Sequence, residues 1–192
     1  MVAVESTMLT LGTQAPAFAL PDPDGKVWSL EEVAGPNGTL VAFVCNHCPY
    51  VRHIAPQLGR VAAGWIGDGI GVIGINSNDT TSHPDDRPEH MATQAAEWNW
   101  TFPYVTDEDQ SAALAYRAAC TPDFFLFDAD RALAYRGRFD AARPRNDVPV
   151  TGAELDAAIR AMLAGRPMPA DQYPSIGCNI KWKPGNTPTW FG

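Results

Sequence analysis

The chain has 192 residues, of which 45% are hydrophobic, and its 14 basic and 22 acidic side chains give a formal net charge of −8. This length suits one well-packed domain spanning residues 1–192, and the acidic balance argues against nucleic acid or an anionic membrane as a partner. Residues 1–13 have neither the basic patch nor the apolar core of a secretion signal or membrane anchor, so we expect a cytoplasmic protein.

The N-terminal part of the chain predicts a β-hairpin followed by a buried strand. Residues 17–20 and 27–30 are short apolar stretches that flank an Asp-Gly dipeptide, which is a strong hairpin signal. We treat residues 1–30 as an N-terminal extension that contains this hairpin. Residues 40–44 form a continuous apolar run, as expected for a strand that is covered on both faces.

A helix and a second buried strand follow. Pro49 suits the first position of a helix, and apolar side chains recur at three- and four-residue spacing between residues 51 and 65. Residues 70–76 repeat the pattern of a buried strand. A strand, a helix and a strand in such close succession indicate a right-handed parallel crossover unit.

The second half of the chain predicts further helices and an antiparallel hairpin. Helical patterns cover residues 89–98 and 109–118, and strand patterns cover residues 122–127 and 133–136. Together with the first half, this order predicts an α/β sandwich in which helices flank a mixed β-sheet.

The C-terminal part predicts one helix and an irregular tail. The sequence from Thr151 to Glu154 has the form of a capping box, in which the two side chains bond reciprocally to backbone N–H groups at the start of a helix. Beyond this helix the chain is rich in proline and glycine, so we expect an irregular tail over residues 166–192.

Cys45 and Cys48 carry the strongest functional signal. Cys48 directly precedes Pro49, so it heads the predicted helix, whose unpaired N–H groups and dipole favour a thiolate over a thiol. Since only the thiolate attacks disulfides and peroxides, we predict that Cys48 is a nucleophile that an oxidised substrate must reach. Cys45, three residues away, is expected to close a disulfide with Cys48 in preference to Cys120 or Cys178.

Three other side chains are candidates for supporting roles. His47 would stabilise the thiolate or relay a proton, because imidazole titrates near neutral pH, or it would be a solvent-facing loop residue. Cys120 and Cys178 are each expected to be small buried side chains. The alternative for Cys178 is the role of a resolving thiol, if the tail folds back over the site.

The order of these elements resembles that of thioredoxin-like proteins, and the N-terminal motifs are similar to those of the peroxiredoxin-like branch, the alkyl hydroperoxide reductase and thiol-specific antioxidant (AhpC/TSA) group. Further segments look like a bacterial subgroup of that branch whose members are described only as thioredoxin-family or peroxiredoxin-like proteins. These segments are CNHCPYV at residues 45–51, INSND at 75–79, CTPDFFLFD at 120–128 and PSIGCNIKWKPGN at 174–186.

The resemblance implies a thioredoxin-like three-layer sandwich and an antioxidant thiol oxidoreductase that needs no cofactor. It also implies a cis bond between Thr121 and Pro122, which would place a backbone edge beside Cys48 where an extended substrate could pair. Cys120, two residues before that proline, would then lie close to Cys48. A thioredoxin or a low-molecular-weight thiol would be the reducing partner.

The chain departs from both patterns within the branch. Thioredoxins carry their second cysteine where this chain has Val51, and peroxiredoxins carry a proline and a peroxide-activating threonine where it has Val41 and Cys45. The motifs therefore leave open whether the oxidant is a hydroperoxide or a protein disulfide. We favour a peroxiredoxin-like role because the N-terminal motifs favour that branch, with a thiol-disulfide reductase without peroxidase activity as the alternative.

Two functions other than thiol redox chemistry are also compatible with the sequence. Cys45, His47, Cys48 and His53 are ligand types for copper or zinc, with His83 or His90 as a distant ligand, so metal handling is one rival. The other is a binding module that keeps the fold without catalysis. Sequence alone leaves the oligomeric state undetermined.

Overall fold

A computed structural model describes residues 3–191, which contain short strands, five α-helices and one 3₁₀-helix (Pro84–Asp86). Within that range the strands are β1 (Ala3–Glu5), β2 (Ala19–Pro21), β3 (Val27–Ser29), β4 (Gly38–Phe43), β5 (Ile70–Asn76), β6 (Tyr104–Thr106), β7 (Cys120–Thr121), β8 (Asp123–Phe127), β9 (Leu133–Gly137) and β10 (Ile176–Asn179). The α-helices of the same range are α1 (Leu30–Val33), α2 (Pro49–Gly67), α3 (Pro88–Glu97), α4 (Ser111–Tyr116) and α5 (Ala153–Leu163).

The central sheet is mixed, with the strand order β6-β5-β4-β8-β9. β4 runs parallel to β5, and β5 runs parallel to β6, whereas β8 is antiparallel to both β4 and β9. Every residue of β4 is buried, as its continuous apolar sequence predicted. No helix within residues 3–191 is both long and apolar enough to cross a membrane.

Side chains alternate along β4 between two apolar cores, because successive residues of a strand point to opposite faces. Leu40 and Ala42 belong to the core that α2 and α5 cover, whereas Val41 and Phe43 pack in a second core with Tyr116 of α4. Each of the larger buried side chains contributes roughly 1.5–3 kcal/mol by leaving water. The result is the thioredoxin-like three-layer sandwich, with helices on both faces of a mixed sheet.

The sequence located most of these elements. The N-terminal hairpin is present as β2 and β3, the crossover unit as β4, α2 and β5, and the second hairpin as β8 and β9. The helix expected over residues 109–118 is shorter, because Arg117 adopts a left-handed conformation that ends it at Tyr116.

The capping box expected at Thr151 is absent. Gly152, in a left-handed conformation, is the residue that precedes α5, and it makes no side-chain cap. Glu154 instead forms a two-pronged ion pair with Arg138, and the Asp140 carboxylate accepts the N–H groups of Thr151 and Gly152. The prediction was wrong because tertiary partners satisfy the groups that the box would have used.

The C-terminal tail is not wholly irregular, as the sequence had suggested. Its strand β10 pairs with β1 on one side and β7 on the other, so that Cys178 lies opposite both Ala3 and Thr121. The chain beyond β10 stays attached, since the Ile180 N–H donates to the Ala119 carbonyl and the Gln110 side chain donates to the Lys181 carbonyl. The tail therefore folds back over the end of α2.

Candidate active site

Cys48 lies where the chain passes from the central strand β4 into helix α2. It is the residue before the first turn, with an extended backbone (φ −69°, ψ 122°), and Pro49 occupies the first helical position. A proline there has no N–H, so the donors of this helix end come from the residues that follow it. One of them, the Val51 N–H, donates to the Cys48 sulfur. The positive end of α2 is thus directed at this sulfur.

Two other thiols contact the Cys48 sulfur. Cys45 and Cys178 both form hydrogen bonds with it, and the backbone N–H of Cys178 is a further donor. As a thiol, Cys48 would donate to the Thr121 carbonyl oxygen, which is 3.1 Å from its Sγ. Burial raises the pKa of Cys48, but the donors from Cys178, Cys45 and the Val51 N–H outweigh burial and lower the pKa far below that of an ordinary thiol. The lowered pKa favours the thiolate form of Cys48, whereas the Thr121 carbonyl oxygen favours the thiol.

The two neighbouring thiols keep their protons. Burial, and then the hydrogen bond to Cys48, raises the pKa of Cys45. For Cys178 the hydrogen bond to Cys48 is the larger cause of a raised pKa, and burial adds to it. The lowered pKa of Cys48 and the raised pKa values of its two neighbours make Cys48 the thiol of the cluster that ionises most readily.

Cys48 has no exposed surface. The sequence had predicted an accessible sulfur, because an external substrate must reach it. The cover is strand β10. Gly177 of β10 lies so close to β7 that an added Cβ would sit 2.0 Å from the Thr121 carbonyl oxygen. The tail was expected to be irregular, and its return over the site is what buries the sulfur.

Replacing Gly177 with alanine should push β10 away from β7 and uncover Cys48. The added Cβ would meet three backbone atoms, the Thr121 oxygen at 2.0 Å, the Thr121 carbonyl carbon at 2.6 Å and the Pro122 nitrogen at 3.1 Å, and none of them can yield without moving the strand. We expect the free energy of unfolding to fall by about 1–3 kcal/mol. Iodoacetamide, followed by peptide mass mapping, should label Cys48 faster in the folded variant.

The matched control for this change is Gly64→Ala in α2, where no atom lies within 4 Å of the added Cβ. Alanine in a helix interior should raise stability by roughly 0.5–1 kcal/mol, and it should leave the labelling of Cys48 unchanged. A folded Gly177→Ala protein in which Cys48 is labelled at the wild-type rate would show that β10 is not the cover.

A buried aspartate that the sequence did not reveal, Asp86, fixes the loop between β4 and α2. Its Oδ1 accepts the backbone N–H groups of Asn46 at 2.8 Å and His47 at 3.1 Å. Its Oδ2 accepts the Asn78 side-chain amide at 2.8 Å and lies 2.5 Å from Nδ1 of His47. Burial raises the pKa of Asp86, but the hydrogen bonds from His47 and Asn78 outweigh burial, and the pKa is lowered.

The structure excludes one of the two roles considered for His47, that of a solvent-facing loop residue. Its side chain is 10% exposed and pairs with Asp86, and its ring packs on that of His83 with the centroids 4.7 Å apart. The cysteine beside its Nδ1 is Cys45, whose Sγ is 3.8 Å away. His47 therefore orders the loop around Cys45 together with Asp86.

Cys45, His47 and Asp86 offer atoms within 4.8 Å of one another that could hold a metal ion. Two of these atoms already bind each other, since His47 Nδ1 and Asp86 Oδ2 are 2.5 Å apart. Tetrahedral zinc with bonds of about 2.0 Å would keep its ligands about 3.3 Å apart. Cys48 contacts Cys178 and Thr121, and His90 lines a separate surface pocket. The geometry favours a His–Asp pair over the ligand set of the rival metal-handling hypothesis.

The Thr121–Pro122 bond is cis, as the family resemblance implied. Thr121 contacts both motif cysteines: its carbonyl oxygen faces Cys48, and its hydroxyl is 3.3 Å from Sγ of Cys45. Cys120 is fully buried, its Sγ is 3.5 Å from the Pro122 carbonyl oxygen, and burial raises its pKa. The structure therefore brings Cys45, Cys48 and Thr121 together and leaves the sulfur of Cys120 turned towards Pro122.

Comparisons with known proteins identify the family of this chain. A family model described as "AhpC/TSA family" matches residues 11–136. A Mycobacterium tuberculosis H37Rv protein named "Putative peroxiredoxin Rv2521" is 30% identical over 114 residues, which cover 59% of this chain and 68% of that protein.

Solved structures are similar over most of the chain. The crystal structure of an "uncharacterized conserved protein" from Geobacillus kaustophilus is 50% identical, with a TM-score of 0.94, and the match covers 96% of this chain and 98% of that one. A "putative Thiol:disulfide interchange protein DsbE" from Chlorobium tepidum is 22% identical, with a TM-score of 0.64, over 81% of this chain and 99% of that one. The second similarity is one of fold.

Proposed function

Because the chain belongs to the AhpC/TSA family of thioredoxin-like thiol oxidoreductases, we propose that Cys48 reacts as a thiolate with an oxidised substrate. Cys45 then closes a disulfide with Cys48. The observation that carries the proposal is the position of Cys48 at the start of α2, with Cys48 and Cys45 both in contact with Thr121, at 3.1 Å and 3.3 Å. The thiolate is the nucleophile, and a neighbouring thiol is already in hydrogen-bonding contact to complete the reaction.

With a hydroperoxide, the Cys48 sulfur takes the terminal OH group and the O–O bond breaks, and the leaving alkoxide or hydroxide takes a proton from solvent and departs as alcohol or water. Cys48 is then a sulfenic acid. The Cys45 sulfur attacks the oxidised sulfur, an S–S bond forms, and water leaves with the proton of Cys45. With a disulfide substrate, Cys48 instead forms a mixed disulfide and releases one thiolate, and Cys45 displaces the other.

We propose the hydroperoxide as the preferred oxidant. Cys45 occupies the position of the peroxiredoxin threonine, and its S–H donates to the Cys48 thiolate where the threonine hydroxyl would donate. A sulfur donor is weaker than a hydroxyl, so reduction of disulfides without peroxidase activity remains the alternative function.

The proposal needs a thiol reductant that returns the disulfide to two thiols, either a thioredoxin or a low-molecular-weight thiol. A cytoplasmic setting suits it, because a reducing compartment keeps Cys45 and Cys48 in their reactive form. We also propose that residues 1–192 act as one domain, since β1 and β10 both complete the structure around Cys48.

The deciding experiment compares two classes of oxidant with the wild-type protein and a thiol reductant in excess. Consumption of hydrogen peroxide and of an alkyl hydroperoxide, well above the rate with reductant alone, would support the proposal. Reduction of a protein disulfide such as that of insulin, without peroxide consumption, would replace it with the alternative. Turnover of neither class would contradict the enzymatic function, and Cys120→Ser serves as the matched variant that should behave as wild type.

A further inference from the structure

Cys178 is the outermost of the three thiols in contact. Neither Cys45 nor Cys48 has any exposed surface, whereas Cys178 retains 2%. Cys178 also lines a surface pocket, and the pocket is formed by Ala3, Pro49, Tyr50, Pro144, Arg145 and Cys178. A molecule bound in this pocket can meet the sulfur of Cys178 while β10 stays in place over Cys48.

We propose that Cys178 is a relay thiol that takes the disulfide from the buried Cys45–Cys48 pair and passes it to a small thiol in this pocket. The inference rests on the proposed function, since it begins from the disulfide that the proposed reaction leaves. It adds the thiol through which the buried pair exchanges electrons with the exterior, and the site at which the reductant binds.

The first exchange is internal. The Cys178 sulfur attacks the Cys48 sulfur, with which it is already in contact, so that the Cys48–Cys178 bond forms and the Cys45–Cys48 bond breaks. Cys45 leaves and takes up the proton that Cys178 gives up. The protein keeps one disulfide and neither gains nor loses electrons.

The second exchange is with the exterior. A thiolate bound in the pocket attacks Cys178, the Cys48–Cys178 bond breaks, and Cys48 leaves as a thiolate. A thiol of low pKa is the better leaving group, and Cys48 is that thiol in this cluster. A second external thiol then displaces Cys178, which regains its proton. Two external thiols become one disulfide, and the protein disulfide gains the two electrons.

Access disfavours direct reduction of the Cys45–Cys48 disulfide. A thiol reductant larger than a hydroperoxide would have to reach a sulfur without exposed surface.

The lining of the pocket indicates the chemistry of the reductant. Pro49, Tyr50 and Pro144 form an apolar wall, and Arg145 is an exposed cation beside it. A guanidinium group binds a carboxylate through paired hydrogen bonds. We therefore assign the pocket to a low-molecular-weight thiol that carries a carboxylate.

The test measures how fast the oxidised protein is reduced. Wild type, Cys178→Ser and Cys120→Ser are oxidised with one equivalent of hydrogen peroxide, mapped without reduction, and then treated with glutathione. We expect Cys178→Ser to form the Cys45–Cys48 disulfide but to lose it at least about 10-fold more slowly than wild type. Cys120→Ser should match wild type. Reduction of Cys178→Ser at the wild-type rate would overturn the relay.

Two further measurements keep the test decisive if Cys178→Ser does not fold. Cys45→Ser should yield a Cys48–Cys178 disulfide, and its absence would count against the relay. Glutathione should also reduce wild type faster than cysteamine, which has no carboxylate, and Arg145→Ala should remove that advantage. Equal rates with the two thiols, or reduction by thioredoxin alone, would contradict the assignment of the pocket.

Failure of the relay and failure of the proposed function give different results. If only the relay fails, peroxide is still consumed and the Cys45–Cys48 disulfide still forms in wild type. If the proposed function fails, wild type forms no disulfide at Cys48 under peroxide.

Discussion

Replacing Cys48 with serine is expected to abolish turnover of every oxidised substrate. The serine hydroxyl stays protonated at neutral pH, so the donors that hold the Cys48 thiolate would have no anion to stabilise. Loss of the nucleophile removes the covalent route, and we expect a fall in rate of at least about 10³-fold. The measurement is peroxide consumption in the presence of excess reductant, with protein stability followed by urea unfolding.

The control for this variant is Cys120→Ser, which changes another fully buried cysteine near the cis-proline. Its sulfur faces the Pro122 carbonyl oxygen and has a raised pKa, so it has no part in the proposed reaction. We expect its activity to stay within about twofold of wild type. A folded Cys48→Ser protein that kept a substantial fraction of wild-type activity would mean that another thiol is the nucleophile.

The position of Cys48 was predictable because its signals are local. β4 and β5 are continuous apolar runs, and α2 shows helical periodicity with Pro49 at its start. Each of these patterns lies within a short window of sequence. Placing Cys48 at the helix end, and Cys45 beside it, therefore required no knowledge of distant contacts.

The cover over Cys48 and the support beneath its loop were not predictable in this way. β10 has four residues and no clear alternation of burial, and it is a strand because β1 and β7, from distant parts of the chain, pair with its two edges. Asp85 and Asp86 are adjacent acidic residues in a polar loop, yet only Asp86 is buried. Its partners Asn46 and His47 lie 40 and 39 residues earlier.

The two unpredicted features act on the same sulfur in different ways. β10 excludes solvent from Cys48, which strengthens each hydrogen bond to the thiolate because the local dielectric constant is low. Asp86 fixes the loop that carries Cys45, so that the Cys45 thiol stays beside Cys48. A sulfur that the sequence presents as exposed at a helix end is thus buried, and its surroundings come from separated segments of the chain.

Replacing Asp86 with alanine is expected to cost the fold about 3–5 kcal/mol at neutral pH, because four hydrogen-bond donors would lose the same buried acceptor. The change would leave the N–H groups of Asn46 and His47, the His47 ring and the Asn78 amide without their acceptor. Urea unfolding gives the size of the loss. Asp85→Ala is the matched control, because the Asp85 side chain is exposed, and it should change stability by less than about 0.5 kcal/mol.

The stability difference between wild type and Asp86→Ala should also depend on pH. The pKa of Asp86 is lower in the folded protein than the value of about 3.9 expected for an unfolded chain. A carboxylate of this kind contributes its full stabilisation above the unfolded pKa and loses it as the pH falls through the folded pKa. The difference in free energy of unfolding between wild type and Asp86→Ala should therefore be constant between about pH 5 and 7 and should shrink below about pH 4. A difference that did not change down to the acid transition, or equal stabilities of Asp86→Ala and Asp85→Ala at pH 7, would show that the Asp86 carboxylate does not hold the loop.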